Sequence, residues 1–297
     1  MAQWNLVQYL INTYELQGTT AAKLLIVGGF LACVIIPYLL GSLNFGLIIS
    51  RNRYHDDIRE HGSGNAGTTN MLRTYGKKAA VLTLAGDMLK AVVAVLFGYF
   101  VLNYNFQIFN DAGEWIGNHR DPIGAAVAGL FVMLGHMFPC FFKFKGGKGV
   151  ATVGMVILMI SPPTFLACFA VFLIVVIGTK FVSLGSIMAL CLYPILLGAF
   201  LPNAPWAHML SVVMATLVVI KHKDNIKRLL NGNESKISLG KKKKAEESPE
   251  ASPAPVQPEK DYAFVTCVGC GRTIPVNRKT CAYCKTKNPH YIPDSKK

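Results

Sequence analysis

Five stretches of this 297-residue chain contain no Asp, Glu, Lys or Arg: Leu24–Ser50, Ala91–Asn110, Pro122–Phe142, Gly149–Thr179 and Phe181–Ile220. A helix needs roughly 20 apolar residues to cross the hydrocarbon core of a bilayer. The last two stretches are long enough for two crossings each. Each has a proline break where a turn would fall, at Ser161-Pro162-Pro163 and at Leu201–Pro205. The pattern predicts seven spans, at about 24–50, 79–103, 123–142, 149–161, 163–179, 185–201 and 206–220. The fourth is short, and is expected to start within the membrane from a glycine loop or to tilt. Composition agrees: 15% of residues are charged, against about 25% in a soluble domain. The expected fold is an all-α polytopic membrane protein with about seven transmembrane helices. Met1–Ala22 lacks a basic n-region and a long apolar core, so a cleavable signal peptide is not expected.

Positive charge orients such a chain. The connection 51–78 holds Arg51, Arg53, Arg59, Arg73, Lys77 and Lys78, and 143–148 holds Lys143, Lys145 and Lys148. Lys180 separates spans five and six, and Lys221, Lys223, Lys227 and Arg228 follow span seven. On the other side, Arg120 is the only basic residue between 104 and 122. The expected N-terminus, residues 1–23, is therefore outside and the C-terminus cytosolic. The net charge of +14 is then mostly positive-inside charge plus a basic tail, and no nucleic-acid partner is needed to explain it.

Beyond a membrane domain at 24–240 the composition changes. Residues 241–260 (KKKKAEESPEASPAPVQPEK) carry charge, Pro, Ala and Ser without an apolar period, and read as a disordered linker. The lysines that open it are either ordinary positive-inside charge or a contact for anionic lipid. Residues 261–297 contain two C-x-x-C pairs, Cys267/Cys270 and Cys281/Cys284. Four thiolates in this spacing suit a closed tetrahedral zinc site, structural rather than catalytic. A redox dithiol or two disulfides are the alternatives, and a cytosolic location argues against disulfides. So small a unit needs metal for much of its stability. It is a zinc-ribbon-like module, with an unknown protein partner as one possible purpose. Cys33, Cys140, Cys168 and Cys191 lack metal spacing and read as small packing residues.

Three polar segments face the expected cytosolic side. In the first, Ser63-Gly64-Asn65-Ala66-Gly67-Thr68-Thr69-Asn70, glycines let backbone amides converge on an anion at the start of a helix. Arg73 stands close by, able to make a bidentate phosphate contact. The alternative is a polar turn with helix-capping residues. In the second, Lys145-Gly146-Gly147-Lys148-Gly149 opens span four. It fails the nucleotide P-loop pattern, since Phe142 stands where the first Gly is required and Gly149 where Ser or Thr is required. A positive-inside anchor would explain it nearly as well. In the third, His222 and Asn225 share a helix face that Arg228 continues, and Asn231-Gly232-Asn233-Glu234 ends the helix.

Together the segments SGNAGTTN, GHMFPCFFKFKGGKGVAT and KHKDNIKRLLNGNESKI resemble the signatures of the bacterial membrane acyl-phosphate:glycerol-3-phosphate acyltransferase family. Those signatures are S-G-N-x-G-[AT]-T-N, G-H-x-x-P-x-F-x-x-F-K-G-G-K-G-V-A-T and [RK]-H-x-x-N-I-x-R-L-x-x-G-x-E-x-K-I. Gly41-Ser42 and Asp87–Lys90 also fit. The resemblance covers roughly residues 24–238. It departs at Thr68, Lys221 and Ala91, none of them a candidate ligand. It says nothing of the segment 104–122 or of the cysteine module.

The resemblance implies a seven-helix fold in the bacterial cytoplasmic (inner) membrane with a cytosolic site. The implied reaction passes an acyl group from acyl phosphate to the sn-1 hydroxyl of sn-glycerol 3-phosphate. Lysophosphatidic acid and phosphate are the products, and phospholipid synthesis begins with this step. The sequence offers no convincing Ser-His-Asp or Cys-His set and no H-x-x-x-x-D pair, since Glu60 and Phe141 stand five residues after His55 and His136. Direct attack without an acyl-enzyme is expected, with no catalytic cofactor. Ser63, Arg73, Lys148 and Asn225 would bind phosphate or the developing oxyanion. His222 would orient a phosphate or act as base, unless a substrate phosphate takes the proton. Gly64, Asn65, Thr69, Asn70, Lys145, Gly146, Gly147, Gly149 and Arg228 would complete substrate binding. A carrier for an organophosphate is a rival, disfavoured because only Asp87 and Lys90 put charge inside the spans. An interaction protein built around the cysteine module would need one span, not seven. Acyl-CoA or acyl-carrier protein as donor is disfavoured by the resemblance alone.

Overall fold

The computed structural model describes residues 6–102, 104–109, 115–237, 264–271, 273–275, 280–281, 284 and 286–290. The linker expected at 241–260 lies outside them. The chain divides into two compact units, Met1–Ser238 and Leu239–Lys297.

The first unit opens with α1 (Leu6–Thr13), α2 (Thr20–Ser42), α3 (Phe45–Tyr54), α4 (Thr68–Tyr75) and α5 (Lys77–Leu102). An antiparallel hairpin follows, β1 (Tyr104–Phe109) with β2 (Trp115–Asp121). Then come α6 (Ile123–Met137), α7 (Val150–Ile160), α8 (Pro162–Thr179), α9 (Val182–Phe200), α10 (Pro205–Lys221) and α11 (Lys223–Leu230).

All seven stretches expected as spans contain a helix, but not all helices can cross. Thr20–Tyr54, Lys77–Leu102, Ile123–Phe142, Pro162–Thr179 and Val182–Phe200 are long and apolar enough, and α10 with α11, bent by 56°, would make a sixth. Helix α7 has 11 residues, about 16 Å of helix against a core of about 30 Å. By length and composition, five helices, or six with the bent pair, can each cross alone, and α7 is too short to do so by itself. The chain is a multi-pass membrane protein. Its outer surface bears this out: Leu24, Val81, Ile174 and Ile195 are 63–71% exposed, which a water-facing surface would not tolerate over so wide an area.

Small residues bring the central helices together. A Cβ on Gly135 of α6 would overlap the Tyr38 carbonyl of α2, and Gly98 of α5 and Gly124 of α6 each abut the other's carbonyl. Membrane helices pack by such close approach because lipid supplies no hydrophobic drive between them. Around this seam Met133, Val156, Tyr193 and Met214 are fully buried.

The break between α2 and α3 leaves backbone carbonyls without helical partners. Lys90 of α5 repairs it, its Nζ donating to Gly41 O and Leu43 O at 2.9 Å each. Asp87, one turn earlier, pairs with Lys90 at 2.8 Å, both side chains 2% exposed. His136 of α6 closes the cluster, with Nδ1 at 3.1 Å from Lys90 Nζ and 3.4 Å from Asp87 Oδ1. Buried charges persist in low dielectric when paired in this way.

In the second unit, β3 (Phe264–Thr266) pairs antiparallel with β4 (Thr273–Pro275), and Thr280 bridges Lys287.

Candidate active site

The first polar loop follows α3. His55 ends the helix in the left-handed region, and a 3₁₀ turn over Ile58–Glu60 is capped by Asp57. Asn70, in the first turn of α4, folds the loop that precedes it. Its Nδ2 donates to Ile58 O (3.1 Å) and His61 O (2.9 Å), and its Oδ1 accepts from Ser63 N (3.1 Å). Asn70 is buried, so it acts as the staple of the loop. Gly62 (φ +54°) sits against its side chain, where a Cβ would overlap Oδ1. Ser63 and Gly64 are exposed, Asn65 and Thr69 half-buried.

The second loop turns through Lys143 and Phe144, both with φ near +56°, and returns over His136. Gly146 N donates to Met137 O (3.2 Å) and Gly147 N to His136 O (3.1 Å). These amides are already engaged and do not point at an anion. The two glycines serve by having no side chain: a Cβ on either would overlap the His136 carbonyl or ring. Gly149 (φ +81°) caps α7, and Lys145 is exposed. Lys148 is half-buried, and its Nζ bonds Asn225 Oδ1. Burial pushes the Lys148 amine down to about 8.

The third loop lies at the bend between α10 and α11. His222 is 2% exposed, and its Nδ1 donates to Val218 O at 2.8 Å. A carbonyl only accepts, so Nδ1 carries the proton and Nε2 keeps its lone pair. Burial first, then the neighbouring Lys148 charge, pushes this imidazole down to about 4. Asn225 Nδ2 donates to Glu234 Oε1 at 2.7 Å. Glu234 also accepts from Ser183 Oγ (2.7 Å) and Arg228 Nε (2.8 Å). These donors, against the opposing effect of burial, hold its carboxyl below the usual range.

Each loop is bonded to the other two. Arg59 Nη1 of the first donates to Phe142 O (3.1 Å) and Lys145 O (3.0 Å) of the second. Lys148 joins the second to the third, and Lys221 Nζ reaches Met137 O at 3.3 Å. Arg73 Nη2 of the first donates to Ser235 O of the third at 3.1 Å. Lys148, His222, Asn225, Arg228 and Arg73 are therefore brought together. Among the described residues, the side chains of Ser63, Asn65 and Thr69 make no bond to the other loops. Arg59, Ser183 and Glu234 were not anticipated. Glu234, which with Asp224 is one of two acids in its motif, is the available signal for one of them.

The chain matches a family model described as glycerol-3-phosphate acyltransferase over residues 31–232. The chain belongs to this glycerol-3-phosphate acyltransferase family. A family member from Neisseria meningitidis serogroup B is 42% identical over 210 residues, 69% of this chain and 95% of its own. One from Thermoanaerobacter sp. is 42% identical over 203 residues, 68% of this chain and 93% of its own. Among solved structures, PlsY (YgiH), an integral membrane glycerol 3-phosphate acyltransferase, in its glycerol 3-phosphate form aligns with TM-score 0.60 at 35% identity. That alignment covers 70% of this chain and 96% of that one. Its lysophosphatidic acid form aligns with TM-score 0.58 at 34% identity, over 70% and 95%. The family match ends before the four cysteines of the second unit.

In the second unit the four Sγ atoms of Cys267, Cys270, Cys281 and Cys284 lie within 4.8 Å of one another. Cys267 and Cys284 sulfurs are 3.5 Å apart, Cys270 and Cys281 3.7 Å. Tetrahedral Zn–S bonds of about 2.3 Å require sulfurs roughly 3.8 Å apart, so the residues fit a metal. Gly269 N donates to Cys267 Sγ at 3.4 Å. Hydrogen bonds from Thr286 pull the Cys284 thiol down to about 6, toward the thiolate a metal needs.

Proposed function

We propose that this chain transfers an acyl group from acyl phosphate to the sn-1 hydroxyl of sn-glycerol 3-phosphate, releasing lysophosphatidic acid and inorganic phosphate. The site faces the cytosol of a bacterial inner membrane, with the N-terminus outside. The reading is supported above all by Lys148, a half-buried amine whose hydrogen bond goes to the neutral Asn225 and which feels the charges of Arg228 and Arg73. A cation so placed is poised for a phosphate dianion. The glycerol 3-phosphate and lysophosphatidic acid forms of the PlsY neighbour are consistent with it.

In the step, the sn-1 oxygen forms a bond to the acyl carbonyl carbon. The bond from that carbon to the phosphate oxygen breaks, and phosphate leaves. Lys148, Arg73 and Ser63 bind phosphate oxygens or the developing oxyanion. His222 Nε2 accepts a hydrogen bond from the hydroxyl and aims it. At a pKa of about 4 this imidazole is a weaker base than a phosphate monoester, whose second pKa is about 6. A substrate phosphate is therefore the better proton acceptor. The buried Asp87–Lys90 pair caps a helix break rather than lining a path, which disfavours a carrier.

Residues 1–238 hold the acyltransferase, and the cysteine module holds a structural zinc through Cys267, Cys270, Cys281 and Cys284. The zinc would cross-link the knuckles and take no part in acyl transfer.

The test is an assay on detergent-purified protein with labelled glycerol 3-phosphate, using palmitoyl phosphate and palmitoyl-CoA in parallel. Lysophosphatidate from acyl phosphate alone is expected. Product from acyl-CoA alone would overturn the donor. No product from either, with glycerol 3-phosphate still bound, would favour a carrier.

A further inference from the structure

Two consecutive non-glycine residues, Lys143 and Phe144, adopt the left-handed region with φ of +57° and +56°. L-residues resist this conformation, and it persists only where the surroundings fix it. The turn is not held by packing of its own side chains: Lys143 is exposed and Phe144 is 60% exposed. Its backbone closes it from within, Phe144 N donating to Pro139 O (2.9 Å) and Lys145 N to Phe142 O (3.3 Å), and Arg59 brackets it from outside. The guanidinium Nη1 donates to Phe142 O (3.1 Å), just before the turn, and to Lys145 O (3.0 Å), just after it. On its other edge, Nε and Nη2 donate to Asp57 at 2.9 and 2.6 Å. Asp57 is itself held by Arg51 at 3.0 Å, and the Arg51 guanidinium lies 5.2 Å over the Phe142 ring. Arg59 is thus a rigid fork, with four of its five N–H groups committed and aimed from a fixed carboxylate.

We infer that Arg59 is a positioning residue: it locks the strained Lys143–Phe144 turn and so sets the loop that carries Lys148 to the substrate phosphate. The inference rests on the reading of Lys148 as a phosphate ligand. Without Arg59 the turn relaxes, and the competent loop becomes a minor conformer. Ligand binding must then reselect it, which raises the apparent dissociation constant by the lost fraction. The loss should therefore appear in KM for glycerol 3-phosphate, with kcat nearly kept. A protein that merely unfolds in part shows the opposite, a lower kcat per chain at unchanged KM. Lysine cannot substitute, because a single ammonium cannot hold both carbonyls and the carboxylate in one plane.

The experiment compares Arg59→Met, Arg59→Lys and Arg59→Met combined with Lys143→Gly and Phe144→Gly, in the full chain. Steady-state kinetics use glycerol 3-phosphate and palmitoyl phosphate. Arg59→Met should raise KM about 10- to 100-fold, the loss expected when a strained pair of residues loses its support, with kcat within about twofold. Arg59→Lys should match it to within about threefold. The glycines, which adopt positive φ freely, should recover most of the loss. Amide exchange at Gly146 and Gly147, which reads the loop without turnover, should speed up in Arg59→Met. Unchanged KM with normal exchange, a fully active Arg59→Lys, or failure of the glycines to restore KM would each overturn the inference. Lys148→Ala is measured in parallel. If its KM stays at the parent value, the phosphate reading fails first, and the inference with it.

Discussion

Lys148 Nζ and Asn225 Oδ1 meet across the gap between the glycine-lysine loop and the start of α11. The partner is a neutral amide, so the ammonium is buried without a direct counter-charge. Glu234 is one bond further on, through Asn225 Nδ2.

This arrangement sets a pH dependence. The free amine titrates at about 8, so kcat/KM for glycerol 3-phosphate should fall about tenfold per pH unit above that value. A profile flat to pH 10 would show that the charge is not used. Stability moves the other way. The folded value lies below the ordinary 10.5, so the unfolded chain binds the extra proton between about 8 and 10.5, and stability rises with pH through that window. Below it the buried ammonium is a cost. Lys148→Met should therefore leave Tm at pH 7 unchanged or higher while lowering kcat/KM by about 100-fold or more. A clear fall in Tm contradicts this account.

His222 is neutral above about pH 4. Its charge is therefore not the source of any acidic limb near neutrality. A limb near about 6 from the substrate phosphate is expected, and should persist in His222→Asn even as kcat drops. A limb near 6.5 that vanishes in that variant would restore His222 as the titrating base.

Glu234 gathers donors from Ser183, Asn225 and Arg228 onto one carboxylate. Glu234→Gln removes the charge and presents an amide N–H₂ to donors. A stability loss of about 2 kcal/mol is expected, the scale of hydrogen bonds to a charged group. The kcat/KM should fall about tenfold as Asn225 loses its orientation. Denaturation in a mild detergent and steady-state kinetics on the same preparation check both. A stable variant with full activity would show the carboxylate to be dispensable.

The purified chain should contain about one zinc per molecule by elemental analysis, and Cys281→Ser should lose it. Chelation should abolish protection of residues 264–290 against proteolysis, since such a unit folds only with its metal. Acyl transfer should be unaffected. Metal-free protein with an intact module would exclude a zinc fold.

The membrane character was legible because charge-free windows need only length to be read. The shortfall at α7 was also visible, as a window too short for the bilayer. The site was legible in part. Lys148, His222 and Asn225 sit in motifs whose chemistry is carried by side chains, and they converge. Gly146 and Gly147 misled, because glycine spacing does not say which carbonyl an amide will meet; here His136 and Met137 take them. Asn70 looked like a ligand, and burial makes it the loop's staple. In the sequence Arg59 reads only as positive-inside charge, since nothing local reveals that its guanidinium reaches 83 and 86 residues ahead.

The Lys90 cap on the broken α2 carries a lesson about biogenesis. Helix α5 alone, released sideways into lipid, would hold Asp87 and Lys90 with no carbonyls from Gly41 and Leu43 and no His136. Those partners arrive from the helix made before it and the helix made after. The charged segment is thus a poor lodger in lipid until α6 has been synthesised and the Gly98–Gly124 and Tyr38–Gly135 contacts have closed. A nascent chain stalled after α5 would have the Gly41 and Leu43 carbonyls but would lack His136 and the glycine contacts of α6 that close the cluster.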